Sequence, residues 1–236
     1  MRHSEVSIIL TVQESSKGFP VAFIDIDRYL SEKFSSHEII VCGYKSDIRL
    51  ARLQRNMRSV IAGAKFIRSE SRSLGAMLKE GVIASNGGHV LWVDTETVFD
   101  AAVANQALSA LEAVGNAKAD VVFALPAADS AAAKLSRRLS RAVAKLGSSK
   151  ANLIAFSRDA AENMLNGLPF AGADFAFDIA LAAKRAGRQI AELESSAQYI
   201  FPGANSNLVA ECLSAIKVRA KFEAGLLRSV SVLQKA

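Results

Sequence analysis

The chain is poor in cysteine and aromatics and has no long apolar run. Only 2 of its 236 residues are Cys, too few for the framework that staples a small secreted domain. Cys42 and Cys212 read instead as buried, reduced thiols of a cytosolic protein. No stretch reaches the ~18 uninterrupted apolar residues that cross a bilayer. The polar start, Met1 to Glu5, runs straight into a strand pattern, so no signal peptide is expected. Aromatic residues make up 7%, which suits a helix-rich α/β protein better than a β-sandwich. His3, His37 and His89 lie in no Ser/His/Asp or Cys/His pattern and form no zinc cluster. Walker A and Gly-x-Gly-x-x-Gly loops are absent too. With no internal repeat and no linker rich in Pro, Gly or Ser, one domain over 1–236 is expected.

What is present is apolar and mildly basic. Half the chain is hydrophobic, and 29 Lys+Arg against 23 Asp+Glu leave a net charge of +6. Such a charge suits an acidic partner, an anionic membrane surface or simply a basic soluble domain. Nucleic acid is not expected, because no aromatics interleave with the basic residues to stack bases.

Short apolar runs at 6–12, 38–42, 65–67, 89–93, 120–125, 153–156 and 189–193 read as buried strands. Helical spacing fills the gaps, with an Ala-rich helix near 100–115, a basic amphipathic helix over 131–146 and another over 177–186. Ser157 reads as the N-cap of a further helix. Asn86-Gly87-Gly88 reads as a helix stop. A last amphipathic helix begins at Asn207, and 207–236 is assigned to that helix and its tail. Strands alternating with helices predict βαβ crossovers and a mostly parallel sheet.

Asp94-Thr95-Glu96 directly follows the strongest strand pattern. Ligands of an open parallel sheet bind beyond the carboxyl ends of its strands. In an extended segment residues i and i+2 point the same way, so Asp94 and Glu96 can present two hard oxygen ligands for Mg²⁺ or Mn²⁺. A pair of solvated acids opening a loop fits the same spacing. Glu14 and Asp47 follow the first two strands and should share that edge. Asp25-Ile26-Asp27 is the better literal Asp-x-Asp, but it falls within a helical pattern and reads as surface acid. Ser73-Leu74-Gly75 precedes a helix whose free N–H groups can attract phosphate.

Lys134, Arg138, Arg141 and Lys145 recur at spacings of four, three and four, with Arg137 beside them. Leu135, Leu139, Val143 and Leu146 mark the opposing apolar side. This stripe can hold a diphosphate or an anionic surface, or be a solvated face. The last helix sets Val209, Leu213, Ile216, Ala220 and Leu227 against Lys217, Arg219 and Lys221. It could lie on a membrane, in a homodimer interface or on its own domain.

In their order and spacing these pieces resemble the family 2 glycosyltransferases of GT-A fold, nearest the dolichyl- and polyprenyl-phosphate sugar transferases. The resemblance spans roughly 5–200 and is carried by Val6–Glu14, Glu38–Val41, Leu74–Gly81, His89–Glu96, Phe175–Asp178 and Gly187–Glu192. It implies a Rossmann-like three-layer α/β/α fold and a nucleotide-sugar donor, UDP- or GDP-linked. By the same resemblance Thr11, Glu14 and the loop holding Asp47 would meet the nucleotide, with Gly75 and Lys79 on the helix before the metal strand. Asp94 and Glu96 would hold the metal and donor diphosphate. A lipid-phosphate acceptor would fall to Arg137, Arg138 and Arg141; a glycan hydroxyl would need a base, Asp178 or Asp174. Gly43-Tyr44-Lys45-Ser46 stands where the family has Asp-Asp-Gly-Ser. The alternative reading is therefore a catalytically impaired relative serving as a binding or assembly protein. The implied location is cytoplasmic, with peripheral membrane contact as an option.

Overall fold

The computed structural model describes residues 5–12, 19–57, 63–95, 100–127, 130–165, 168, 174–195 and 208–233. The described residues form strands β1 (Val6–Val12), β2 (His37–Tyr44), β3 (Lys65–Ser69), β4 (His89–Asp94), β5 (Val121–Pro126), β6 (Leu153–Ser157) and β7 (Ile190–Ser195). The helices are α1 (Phe19–Lys33), α2 (Ile48–Met57), α3 (Leu74–Ala84), α4 (Ala101–Gly115), α5 (Ala131–Ala144), α6 (Arg158–Leu165), α7 (Phe175–Arg185) and α8 (Leu208–Leu233).

The strands make one sheet in the order β3-β2-β1-β4-β6-β5-β7. All neighbours are parallel except at β6, which runs antiparallel to both β4 and β5. The expected α/β/α layering follows from the strand sequences. Because side chains alternate across a strand, an unbroken apolar run feeds two cores. Ile9, Ile40, Trp92, Phe123 and Ile154 pack against α3, α6, α7 and α8 on one face. Ile8, Leu10, Val41, Leu91, Val93 and Val122 pack against α1, α2 and α4 on the other.

The reversal of β6 shapes the edge that holds Asp94. It brings Asn152, just before β6, to the edge where the parallel strands end. There the Asp94 N–H donates to the Asn152 carbonyl at 2.9 Å.

Three local expectations are refined. α3 stops before Asn86-Gly87-Gly88, as expected, but its cap is Ser85 in extended backbone rather than a glycine. Gly87 is needed for close approach instead, since a Cβ there would lie 2.5 Å from the Ser7 hydroxyl. Of the apolar side expected of α5, Leu146 is buried and Val143 packs on the core, but the rest is turned differently. Its buried residues are Ser136, Ser140 and Ala144, while Leu135 and Leu139 are exposed. Small residues let the helix come close, and its arginines draw it towards acids on β7. Of the two cysteines, Cys42 is buried as expected but Cys212 is only half-buried. The Asp25 and Asp27 reading holds on α1, where Asp25 pairs with Arg28 and Asp27 with His37, each at 3.0 Å.

Candidate functional site

β1, β2, β3, β4, β5 and β7 all end on one edge of the sheet, and β6 begins there. Asp94 closes β4 on that edge and is half-buried. Two residues upstream on the same face, Trp92 is buried. Its indole N–H donates to the Thr11 hydroxyl at 3.0 Å, and its ring meets Phe175 edge-on, centroids 5.0 Å apart. Thr95 then donates to the Thr11 carbonyl at 2.8 Å. Thr11 lies opposite Asp94 in the β1–β4 register. It is fully buried, so its hydroxyl serves Trp92 inside the protein.

Phe175 opens α7, so its contact with Trp92 sets the first turn of that helix against the face of β4 that carries Asp94. Asp174 precedes the helix and Asp178 lies one turn on, the spacing that puts both on one helix face. Burial, with repulsion from Asp174 added, pushes the Asp178 carboxyl up to about 6, and Lys221 on α8 pulls the other way. A carboxyl poised there is ionised at neutral pH yet basic enough to accept a proton. Its partner on α8 lies 43 positions away and left no signal in the sequence around Asp178.

The strand ends β2 and β3 bring a second group to the same edge. The Arg72 guanidinium sits over the Tyr44 ring, 4.7 Å from its centroid. Asp47 turns back through its N–H to the Tyr44 carbonyl at 2.9 Å, and Lys45 pairs with Glu70. α3 starts beside them. Gly75 is buried in its first turn and Lys79 is half-buried one turn further on. Its N-cap, Ser73, makes no side-chain capping bond.

Two of the three arginines expected to meet an acceptor phosphate have carboxylate partners. Arg141 Nε donates to Glu192 at 3.1 Å, and the Gly147 N–H meets the same carboxylate at 3.0 Å. Arg137 pairs with Glu194 at 3.5 Å. Residues four apart on α5 thus meet acids two apart on β7, both one-face spacings. Glu192 and Glu194 are the residues that sequence reasoning missed here; their i, i+2 spacing on a strand was the available signal. Arg138 is exposed.

Glu14 and Glu96 lie outside the described residues. Among the described residues no group of three His, Cys, Asp or Glu could hold a metal ion. The donor chemistry still fits a hard cation. Asp94 is a carboxylate at a strand end, and Mg²⁺ or Mn²⁺ characteristically takes one or two carboxylates and completes its shell with phosphate and water.

No family model matches the chain, and no curated protein matches its sequence. Solved structures do match it in three dimensions. Glucosyl-3-phosphoglycerate synthase from Mycobacterium tuberculosis, in complex with Mn²⁺, UDP-glucose and phosphoglyceric acid, aligns with a TM-score of 0.61 at 15% identity, over 92% of this chain and 79% of that one. A mannosyltransferase from Pyrobaculum calidifontis, in complex with GDP-Man and Mn²⁺, aligns at 0.59 and 14%, over 100% and 82%. A putative nucleotide-diphospho-sugar transferase from Desulfovibrio desulfuricans aligns at 0.52 and 12%, over 94% and 96%. The fold is of the GT-A type. At these identities the likeness is one of fold.

Proposed function

We propose that the chain transfers a sugar from a UDP- or GDP-linked donor to an acceptor hydroxyl, as a metal-dependent glycosyltransferase. The observation that carries this reading is the Trp92–Phe175 contact. It ties the first turn of α7, between Asp174 and Asp178, to the face of β4 that ends in Asp94, so a carboxylate for the donor diphosphate and a proton acceptor would serve one crevice. The glucosyl and mannosyl transferases of like fold bind UDP-glucose or GDP-Man with Mn²⁺, which supports the donor class.

Asp94 and Glu96 would hold Mg²⁺ or Mn²⁺ on the donor diphosphate. The ion, when bound, neutralises the charge that builds on the leaving diphosphate. Tyr44, Asp47 and Glu14 would line the nucleoside end, with Thr11 supporting them from within through Trp92. The α3 start at Gly75, with Lys79, would face the phosphates. Asp178 would take the acceptor proton as the oxygen attacks the anomeric carbon and the nucleoside diphosphate leaves, inverting that centre. Burial, with repulsion from Asp174 added, would keep Asp178 basic.

A lipid-phosphate acceptor would need no base, because its oxygen is already ionised, and Arg137, Arg138 and Arg141 would bind it. That reading is the less favoured one here, since Arg137 and Arg141 are engaged by Glu194 and Glu192.

Calorimetry with UDP-glucose and GDP-mannose, with and without Mn²⁺, tests the reading. Metal-dependent binding that Asp94→Ala abolishes is expected. Absence of nucleotide binding in every condition would overturn it. Binding without turnover for any acceptor would leave a nucleotide-sugar binding protein.

A further inference from the structure

α5 and α8 lie side by side, and Arg219 on α8 donates to the Val143 carbonyl near the end of α5 at 3.1 Å. What α5 buries is small: Ser136, Ser140 and Ala144. α8 buries Ala215 and Val218. The larger apolar residues are outside. Leu135 is 50% exposed and Leu139 47% on α5, and Leu213 is 48% and Ile216 53% on α8. Leu135 and Leu139 stand one turn apart, as do Leu213 and Ile216, so each helix shows an apolar pair on one face. Single exposed leucines are ordinary. Two exposed apolar pairs on two touching helices are more than scattered single leucines, and contiguous apolar surface is what marks a binding site.

The charge around the pairs identifies the partner. Residues 130–150 contain no Asp or Glu but hold Lys134, Arg137, Arg138, Arg141, Lys145 and Lys150. Arg137 and Arg141 turn to the acids of β7. Lys134, Arg138 and Lys145 remain exposed. At 100° per residue Lys134 and Arg138 fall together on the outward side of α5, next to Leu135 and Leu139, and Lys145 follows as the C-cap of the helix. On α8, exposed Lys217 adjoins Ile216 and exposed Lys221 adjoins Ala220. Apolar side chains bordered by cations are the pattern of helices that lie in a membrane interface. Among the described residues no helix is long and apolar enough to cross a membrane, so such contact would be peripheral.

We propose that the outer faces of α5 and α8 dock on an anionic lipid bilayer. Leu135, Leu139, Leu213 and Ile216 enter the headgroup layer, and Lys134, Arg138, Lys145 and Lys217 meet lipid phosphate. A second copy of the chain is the poorer occupant, because a two-fold interface sets the same cations against themselves. The proposal stands whether or not the chain transfers a sugar.

Vesicle co-sedimentation tests it, with phosphatidylcholine alone and with added phosphatidylglycerol, at low and high salt. Binding that requires the anionic lipid and weakens with salt is expected. The double variant Leu135→Asn/Leu139→Asn should lose about ten-fold or more in binding, and Lys134→Gln/Arg138→Gln should lose the preference for anionic vesicles. Circular dichroism and thermal melts confirm folding; all four residues are exposed, so each variant should fold. Absence of binding to phosphatidylglycerol vesicles overturns the proposal, as does undiminished binding by the leucine variant. A wild-type dimer in light scattering that the leucine variant makes monomeric would give the surface to a second copy and overturn it as well.

Discussion

The indole N–H of Trp92 donates to the hydroxyl of Thr11 at 3.0 Å, across adjacent strands and with both residues buried. The same indole ring carries Phe175 on its edge. One hydrogen bond thus fixes the ring on which the first turn of α7 rests, and with it Asp174 and Asp178.

Thr11→Val keeps the shape of the side chain but removes the acceptor. The Trp92 N–H is then buried without a partner, a loss of about 1–3 kcal/mol. The urea midpoint should fall while the slope of unfolding stays the same. An unchanged midpoint would show that the bond contributes little. Donor affinity on the same variant separates support of Trp92 from direct contact with a nucleotide.

Gly87→Ala should be costly and Gly88→Ala should not. A Cβ at Gly87 would stand 2.5 Å from the Ser7 hydroxyl and 2.6 Å from its N–H, whereas at Gly88 the nearest atom is the Glu5 carbonyl at 3.8 Å. The Gly87 N–H also donates to the Ser7 hydroxyl at 2.7 Å, so β1 and the loop before β4 cannot separate freely. A loss of about 1–3 kcal/mol is expected at Gly87, and a change within about 0.5 kcal/mol at Gly88. Parallel denaturation curves of the two variants make the comparison.

That pair also shows what a sequence can and cannot disclose. Two glycines after a helix signal a stop, but only the neighbouring strand reveals that one of them is needed for space. The apolar runs of β1 and β4 were legible because a buried parallel strand has little polar alternation to confuse it. The direction of β6 was not legible, since five apolar residues read the same both ways and only partners far along the chain decide. On α5 the leucines suggested the inward face. Pairing of Arg137 and Arg141 with β7, together with the small residues Ser136 and Ser140, turned the helix instead. Asp94 was legible because it ends a strong strand. The state of Asp178 was not, because its burial and its opposing charge Lys221 come from tertiary packing.

Arg141 and Glu192 should be coupled weakly. The Arg141 side chain is half exposed, so solvent screens the pair even though Glu192 raises the guanidinium pKa. A double-mutant cycle with Arg141→Ala and Glu192→Gln should give a coupling of about 0.5 kcal/mol that shrinks with salt. A coupling several times larger would mean that α5 is held to β7 chiefly by this pair rather than by its small buried face.

The Asp178 carboxyl gives the stability of the protein a defined pH dependence. Burial, then Asp174, push it up to about 6, against about 3.9 in an unfolded chain. Between those values the folded state holds a proton that the unfolded state has lost. Its contribution is therefore fully present below about pH 4 and is lost as pH rises through about 6. Asp178→Asn removes this slope. The variant should gain about 1–2 kcal/mol on the wild type near pH 7, a figure reduced for the partial exposure of the group. Urea midpoints from about pH 4 to pH 8 make the measurement, and parallel curves for the two proteins would refute the shift. Activity should move the opposite way. If Asp178 accepts the proton of an acceptor hydroxyl, transfer falls on the acid side of about pH 6, and the more stable Asn variant is the less active one. A variant both more stable and fully active would keep the pKa and remove Asp178 from the reaction.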